Sequence, residues 1–375
     1  MAKILILGGG FGGLIAAKRL ASSLDAANDI TIVSPNRKFT FYPALVRLAF
    51  GGQTEDDITF DLGSVAKDMG ARFIQGELIN INPQRRSVDI AGPDLNGELN
   101  YDYVIFAMGR RLATEKVPGF FEHAHHLLGV KAAKRFGESV NNFRSGKFLV
   151  GMCPDGRLPV PVCETAFALA KKFEAQMKDG TVRVSVIFPD SLEAAFGGAV
   201  LHKELESAFQ RHHITVHYDV PIVEIAEGAV VSSRKHTIEC GLMMLIPPFR
   251  GHAMLRELGS TDEHDFVKVD SLMRVHGHEG TYAVGDIVAF SGPKLAHMAV
   301  GQAEAAAANI IAEINGETPA TEYYHEIATI IDAGGSDSIF LRYGIWDDSM
   351  QSLKKGSLWG WAKDVHDKVW RVRNR

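Results

Sequence analysis

The hexapeptide GGGFGG, residues 8–13, constrains this chain more than any other stretch. It follows a short β-type run, KILIL at 3–7, and opens a segment with apolar residues at helical spacing, Leu14, Ala17, Leu20 and Leu24. A second β-type run, DITIV, occupies 29–33. Strand, glycine turn, helix and strand within about 30 residues is the βαβ unit of a nucleotide-binding fold. Gly8, Gly10 and Gly13 fit the spacing G-x-G-x-x-G. The first glycine makes the tight turn, the second lets the backbone approach a diphosphate, and the third permits close helix–strand packing. Phe11 then stands where the helix begins, with its free N–H groups toward the phosphates. No acidic residue ends the second strand. Ser34 and Pro35 stand there instead, and the serine hydroxyl is the expected ribose partner.

Further along, the alternation recurs. Strands are expected near 148–151, 182–188 and 214–217, helices near 162–178 and 201–212, short β segments over 222–246, and an Ala-rich helix over 297–315. The 375 residues suffice for two or three domains, and no low-complexity linker separates them. Hydrophobic residues make up 46% and charged residues 23%, ordinary for a soluble protein. No apolar run is long enough to span a bilayer. MAKILILGGG has no signal-peptide cleavage site and reads as a buried strand. Three cysteines cannot build a disulfide framework and fit a reducing, cytoplasmic compartment. Nothing in the charge pattern of the body indicates a nucleic-acid partner.

TYAVGDIVAF, 281–290, is a strand ending in Gly285–Asp286, followed by Pro293–Lys294–Leu295 and the Ala-rich helix. YDYVIFAMGR, 101–110, is another strand, ending in Ala107, Met108 and Gly109. These segments resemble those of two-dinucleotide-domain flavoproteins, where a Gly-Asp strand end closes the FAD site and an Ala-Thr-Gly strand marks the crossing out of the FAD domain. The resemblance narrows to the sulfide:quinone oxidoreductases, flavocytochrome c sulfide dehydrogenase flavoproteins and type II NADH:quinone oxidoreductases. Four stretches favour the sulfide:quinone branch: ITIVSPNRKFTFYPALVRLAFG (30–51), VIFPDSLEAAFGG (186–198), LMMLIPPFRG (242–251) and PKLAHMAVGQAEAAAANI (293–310). The resemblance implies an α/β fold of two Rossmann-like domains with a C-terminal amphipathic region at a membrane interface. The FAD domain would span 1–108 and 246–318, the second domain 109–245, and the membrane-attachment region 319–375. It implies bound FAD, with Asp286 accepting a hydrogen bond from the ribityl chain. It also implies a quinone site near Phe249 and Lys294.

The stretch VGMCPDGRLPVPVCE, 150–164, bears on the electron donor. A NADH-using member needs a second glycine fingerprint here, and Gly151 and Gly156 do not fit it. The sulfide:quinone branch places a redox cysteine in this turn, in a segment resembling Cys-Pro-Pro-x-Pro-Tyr-Glu. With Glu164 as anchor, Leu158 falls on the cysteine position and Cys163 on the tyrosine. The family's second redox cysteine has no counterpart in IIDAGGSDS, 330–338. Cys153 and Cys163 are the candidate replacements, Cys163 as a thiolate favoured by a helix start. Glu164 is a candidate proton carrier, and Cys240 reads as structural. The histidines at 123, 125, 126, 212, 213 and 217 carry no metal-ligand pattern and read as surface residues.

The net charge is −5, yet the last 25 residues hold seven Lys/Arg and two Asp, so the tail is +5 and the remainder −10. Within it, Leu358, Trp361, Ala362, Val365, Val369 and Val372 share one helical face, with Trp359 and Trp370 near it and Lys363, Lys368, Arg371, Arg373 and Arg375 around it. Tryptophan and basic residues on an amphipathic helix suit a membrane interface. A helix packed on its own core or a homo-oligomer contact is the alternative. The sequence thus points to a peripheral enzyme on the cytoplasmic face of a membrane, passing electrons from a small reductant, sulfide first, to a quinone. A NADH:quinone oxidoreductase and an electron-transfer or sensing flavoprotein are the rivals.

Overall fold

The computed structural model describes residues 1–347 and 351–375. Its first sheet has five parallel strands. Strand β1 (Lys3–Leu7) lies at its centre, between β2 (Asp29–Ser34) and β4 (Tyr103–Phe106), with β3 (Arg72–Gln75) at one edge. Ile4 to Leu7 are almost wholly buried, as a strand covered on both faces requires. Helix α1 (Phe11–Ser23) crosses from β1 to β2. A three-stranded antiparallel meander over 77–100 connects β3 to β4.

The chain then builds a second parallel sheet from β5 (Gly146–Met152), β6 (Val182–Ile187), β7 (Thr215–His217) and β8 (Leu242–Ile246), in the order β7-β6-β5-β8. Helix α2 (Pro159–Lys172) follows β5. The short segments over 222–246 divide: three form a small antiparallel sheet, while β8 joins the parallel one beside β5. Strand β9 (Thr281–Ala283) returns to the free edge of the first sheet beside β4. The outward and return crossings pair as a two-stranded ribbon, Arg111–Leu112 with Phe249–Arg250. Helix α3 (Ala296–Ile314) packs against α1, and its small residues Ala303, Ala306 and Ala307 are buried there.

A three-stranded antiparallel sheet closes the chain: β10 (Glu326–Ile331), β11 (Ile339–Gly344) and β12 (Gln351–Lys355). It carries the last helix, α4 (Ser357–Asn374). Among the described residues, no helix is long and apolar enough to cross a membrane.

Candidate active site

The loop between β1 and α1 is built around the absence of side chains. Gly8 has a φ of +121°, and a Cβ there would lie 2.2 Å from the Ala107 carbonyl oxygen. A Cβ on Gly13 would lie 1.9 Å from the Gly8 carbonyl oxygen. These two glycines let strand β4 and helix α1 close on the loop. Gly10 differs: a Cβ there would meet nothing within 4 Å. The first helical bond, Leu14 N–H to the Gly10 carbonyl at 2.9 Å, leaves the preceding N–H groups of the helix start without intrahelical partners.

Gly10 and Phe11 line a cavity of about 1760 Å³. It exceeds the roughly 300–1,000 Å³ of an ordinary small-ligand pocket. Ser34, Pro35, Ala107, Gly109, Gly285, Asp286, Lys294 and Leu295 also line it. Leu158, the α2 residues Val160, Pro161 and Glu164, and Ile330, Lys363 and Trp370 line it as well. A bare glycine facing a long cavity at a helix N-terminus is a cradle for a diphosphate. The residues present therefore fit a dinucleotide cofactor.

Two details differ from the sequence expectation. The Ser34 hydroxyl is already engaged in its own turn, donating to the Asn36 carbonyl at 3.0 Å and accepting from the Asn36 N–H at 3.3 Å. Phe249 is fully buried and does not line the cavity. The Arg110 guanidinium covers its ring, 4.3 Å from the centroid. Arg110 also pairs with Asp286, and both line the cavity. Sequence reasoning passed over Arg110. Its only signal was a position directly after the strand-end glycine, where the chain crosses out of the first sheet.

Lys294 is buried in the cavity wall, donating to the Val288 carbonyl and lying 4.7 Å from the Phe266 ring centroid. Burial, reinforced by neighbouring Arg157, holds its ammonium well below the usual lysine range.

Residues 2–149 match the family model described as pyridine nucleotide-disulphide oxidoreductase. The chain is 24% identical to mouse mitochondrial sulfide:quinone oxidoreductase over 300 residues, covering 76% of this chain and 65% of that protein. It is 22% identical to the type II NADH:quinone oxidoreductase of Staphylococcus haemolyticus over 367 residues, covering 91% and 90%. Its fold superposes on the sulfide:quinone oxidoreductase of Aquifex aeolicus with a TM-score of 0.91 at 21% identity, covering 100% of this chain and 92% of that one. The chain is an FAD-dependent oxidoreductase. It is related to the sulfide:quinone and NADH:quinone enzymes.

The oxidoreductase has a second strand-to-helix junction, after β5, of the same topology but different chemistry. A Cβ on Gly151 would lie 2.3 Å from Ile187 Cγ1, and one on Gly156 2.8 Å from the Ile246 carbonyl oxygen. Helix α2 opens with Pro159 and carries Pro161 two residues on, so two N–H groups that could hold phosphate are missing. Asp155 pairs with Arg250 at 2.9 Å, and its carbonyl accepts from the Phe249 N–H at 3.0 Å. This loop is packed shut against β8.

Its two cysteines are not brought together as a pair. Cys153 packs with Val117, Phe120, Leu149 and Ile187; Cys163 packs in a separate cluster with Phe167 and Val186. All three cysteines are free and buried. The helix start does not favour a Cys163 thiolate. Burial, with Glu164 adding to it, pushes that thiol far up, and burial alone does the same to Cys153. Cys240 is also buried. Glu164 does reach the cavity. It pairs with Lys363 of α4 and accepts from the Asp332 N–H at 2.9 Å. Burial raises its carboxyl, with Lys363 pulling the other way.

The histidines are not uniformly at the surface. His126 lines the cavity and accepts from the Leu128 N–H at 3.2 Å. His125 is half-buried, and burial lowers both.

In the oxidoreductase, α4 lies with its polar side inward. Lys363, Asp367 and Asn374 are buried, while Leu358, Trp361, Val365, Val369 and Val372 are exposed. Several basic residues expected at the interface face the body instead. Arg371 Nη1 donates to the Asp57 carbonyl at 2.6 Å, and Arg375 Nη2 to the Asp56 carbonyl at 2.7 Å. The stripe 363, 367, 370, 374 has helical spacing too, and that polar periodicity was the sequence signal for the docked face.

Proposed function

We propose that the oxidoreductase passes electrons from a small reductant, sulfide, to a membrane quinone, attached peripherally at the cytoplasmic face of the membrane through α4. The observation that carries this reading is the contrast between the two strand-to-helix junctions. The first presents a bare glycine and free helix N–H groups to a long cavity, while the second is closed by packing and two prolines. A nicotinamide dinucleotide therefore lacks the cradle that FAD has, which favours a donor without one.

When bound, FAD supplies two-electron chemistry. The chain's residues position, charge and protonate. Gly8, Gly10, Phe11 and Gly13 form the diphosphate loop. Ser34, Pro35, Ala107 and Gly109 line the cavity that would hold it, and Gly285, Asp286 and Leu295 would close it, with Asp286 as the acceptor that the resemblance implies for the ribityl chain. Lys294 stands in the wall beside it. Cys153 and Cys163, apart and desolvated, hold no disulfide or persulfide relay in this arrangement. The quinone enters the part of the cavity lined by Leu158, Val160 and Pro161 rather than past Phe249. Glu164, paired with Lys363, lines the same part of the cavity, and burial raises its carboxyl, so the pair is placed to take up a proton and pass it to a reduced quinone. The exposed stripe of α4 turns toward lipid.

The test is anaerobic addition of sulfide, then NADH, to the yellow holoprotein. Sulfide should bleach the visible flavin absorbance, NADH should not, and a short-chain quinone should restore it. Bleaching by NADH would support the NADH:quinone reading, and bleaching by neither an electron-transfer or sensing role.

A further inference from the structure

Helix α4 does more than present an apolar stripe to its surroundings. Its inward side grips the first helix of the cofactor site at its start and again near its middle. At the start of α1, the Trp370 ring lies 4.8 Å from that of Phe11, the residue after Gly10. Phe39 and Phe41 complete the box around it, at 5.4 and 5.2 Å. At the second turn of α1, Lys18 Nζ donates to the Arg373 carbonyl at 2.8 Å and to Asn374 Oδ1 at 3.2 Å. Two further contacts fix α4 to the body: Arg47 pairs with Asp364 at 2.6 Å, and Lys363 with Glu164. Trp370 and Lys363 themselves line the cavity.

A surface foot needs none of this. A helix that merely met lipid could hang on its apolar side and leave its polar side in water. Here the polar side is spent on a specific seat, and the seat includes the helix whose N-terminus cradles the diphosphate. We propose that α4 is a strap that completes the cofactor site, with Trp370 as a positioning residue acting through Phe11. The inference rests on the assignment of the glycine loop to FAD. Phe11 and Trp370, each in contact with the other and with both Phe39 and Phe41, fix where α1 begins, and the close approach of Gly8 to Ala107 fixes the loop before it. The loop is therefore held between β4 on one side and the strap on the other. Retention of the cofactor then depends on a residue 360 positions from the fingerprint.

The experiment follows release of FAD from the holoprotein by dilution and ultrafiltration, with visible circular dichroism of the bound flavin as the spectroscopic readout. Trp370→Ala should speed release about tenfold or more, from the loss of three ring contacts, and alter the flavin signal. Trp370→Phe, which keeps a ring in the box, should restore both. Lys368→Ala, on the exposed side of the same helix, should release FAD at the parent rate. Gly10→Val should lose FAD outright while remaining folded, because its side chain would point into the cavity. If Trp370→Ala keeps FAD as the parent does while Gly10→Val loses it, the strap is wrong and the loop assignment stands. If Gly10→Val keeps FAD, the loop assignment falls and the strap with it.

Discussion

Glu164 and Lys363, 199 residues apart in sequence, form a buried ion pair in the wall of the cofactor cavity. The pair joins the helix after the second sheet's first strand to the helix that ends the chain. Neither partner is held alone. The Asp332 N–H donates to Glu164 at 2.9 Å, and Lys363 also donates to the Ile330 carbonyl at 3.3 Å.

Removing one partner should cost more than removing both. Lys363→Met leaves a buried carboxylate without its cation and should destabilise the fold by roughly 3–5 kcal/mol, with Glu164→Gln/Lys363→Met recovering much of this. Burial raises Glu164 in the fold, so the folded state holds this proton more tightly than the unfolded chain. Its contribution to stability therefore falls as pH rises above the ordinary glutamate value. The Lys363→Met deficit should be larger at pH 8 than at pH 4.5 in urea unfolding. An equal deficit at both would count against a buried charge as its cause.

Acid should find a second weak point at His325. Burial, with Lys294 and Arg157 near, lowers it to about 4. Its Nε2–H donates to the Ser291 carbonyl, and the Nδ1 of the neutral ring accepts from the Tyr323 hydroxyl, both at 2.9 Å. The unfolded chain binds this proton first as pH falls from about 6.5, so stability drops progressively toward pH 4, by about 3 kcal/mol for this group. Titration of its ring protons by NMR should show a midpoint well below that of an exposed histidine.

Gly8→Ala should be among the most damaging small substitutions. The backbone there is left-handed, and the new methyl would meet the Ala107 carbonyl carbon and oxygen at 2.5 and 2.2 Å. The strained conformation alone costs on the order of 1–3 kcal/mol, and the clash adds to it. Thermal unfolding of the FAD-loaded and FAD-free proteins should both shift downward.

Thiol chemistry offers a direct check on the cysteines. Desolvation raises Cys153, Cys163 and, to about 11, Cys240. Native protein should react with a thiol reagent far more slowly than urea-unfolded protein, which should titrate three thiols. A fast-reacting thiol in the native state would restore the case for a redox cysteine.

The outward stripe of α4 can be tested apart from its inward seat. Val369→Asp adds a charge at a position 48% exposed, outside the buried contacts. Sedimentation with anionic vesicles should fall, while FAD content and melting temperature stay at parent values. Unchanged sedimentation would remove the lipid role from this face.

The sequence by itself determined four of the five strands of the first sheet, all but Arg72–Gln75, together with the glycine loop and the lack of a second glycine fingerprint, because each is local. Turn chemistry, strand burial and helix N-terminal prolines are written in neighbouring residues. GGGFGG needs small residues for its own backbone path, and Pro159 and Pro161 lack N–H groups in any fold. What tertiary structure decided was the facing of residues distant along the chain. Phe249 went under Arg110 instead of into the cavity, since a cation and a ring at the crossing ribbon pack together. Cys153 and Cys163 fell on opposite sides of a strand-to-helix turn, into separate clusters that keep their protons on. The tail shows the division most plainly. Its composition specifies an amphipathic helix, but two stripes share the helical period, and only the cavity wall's Glu164 and the aromatic box around Phe11 select which one turns inward.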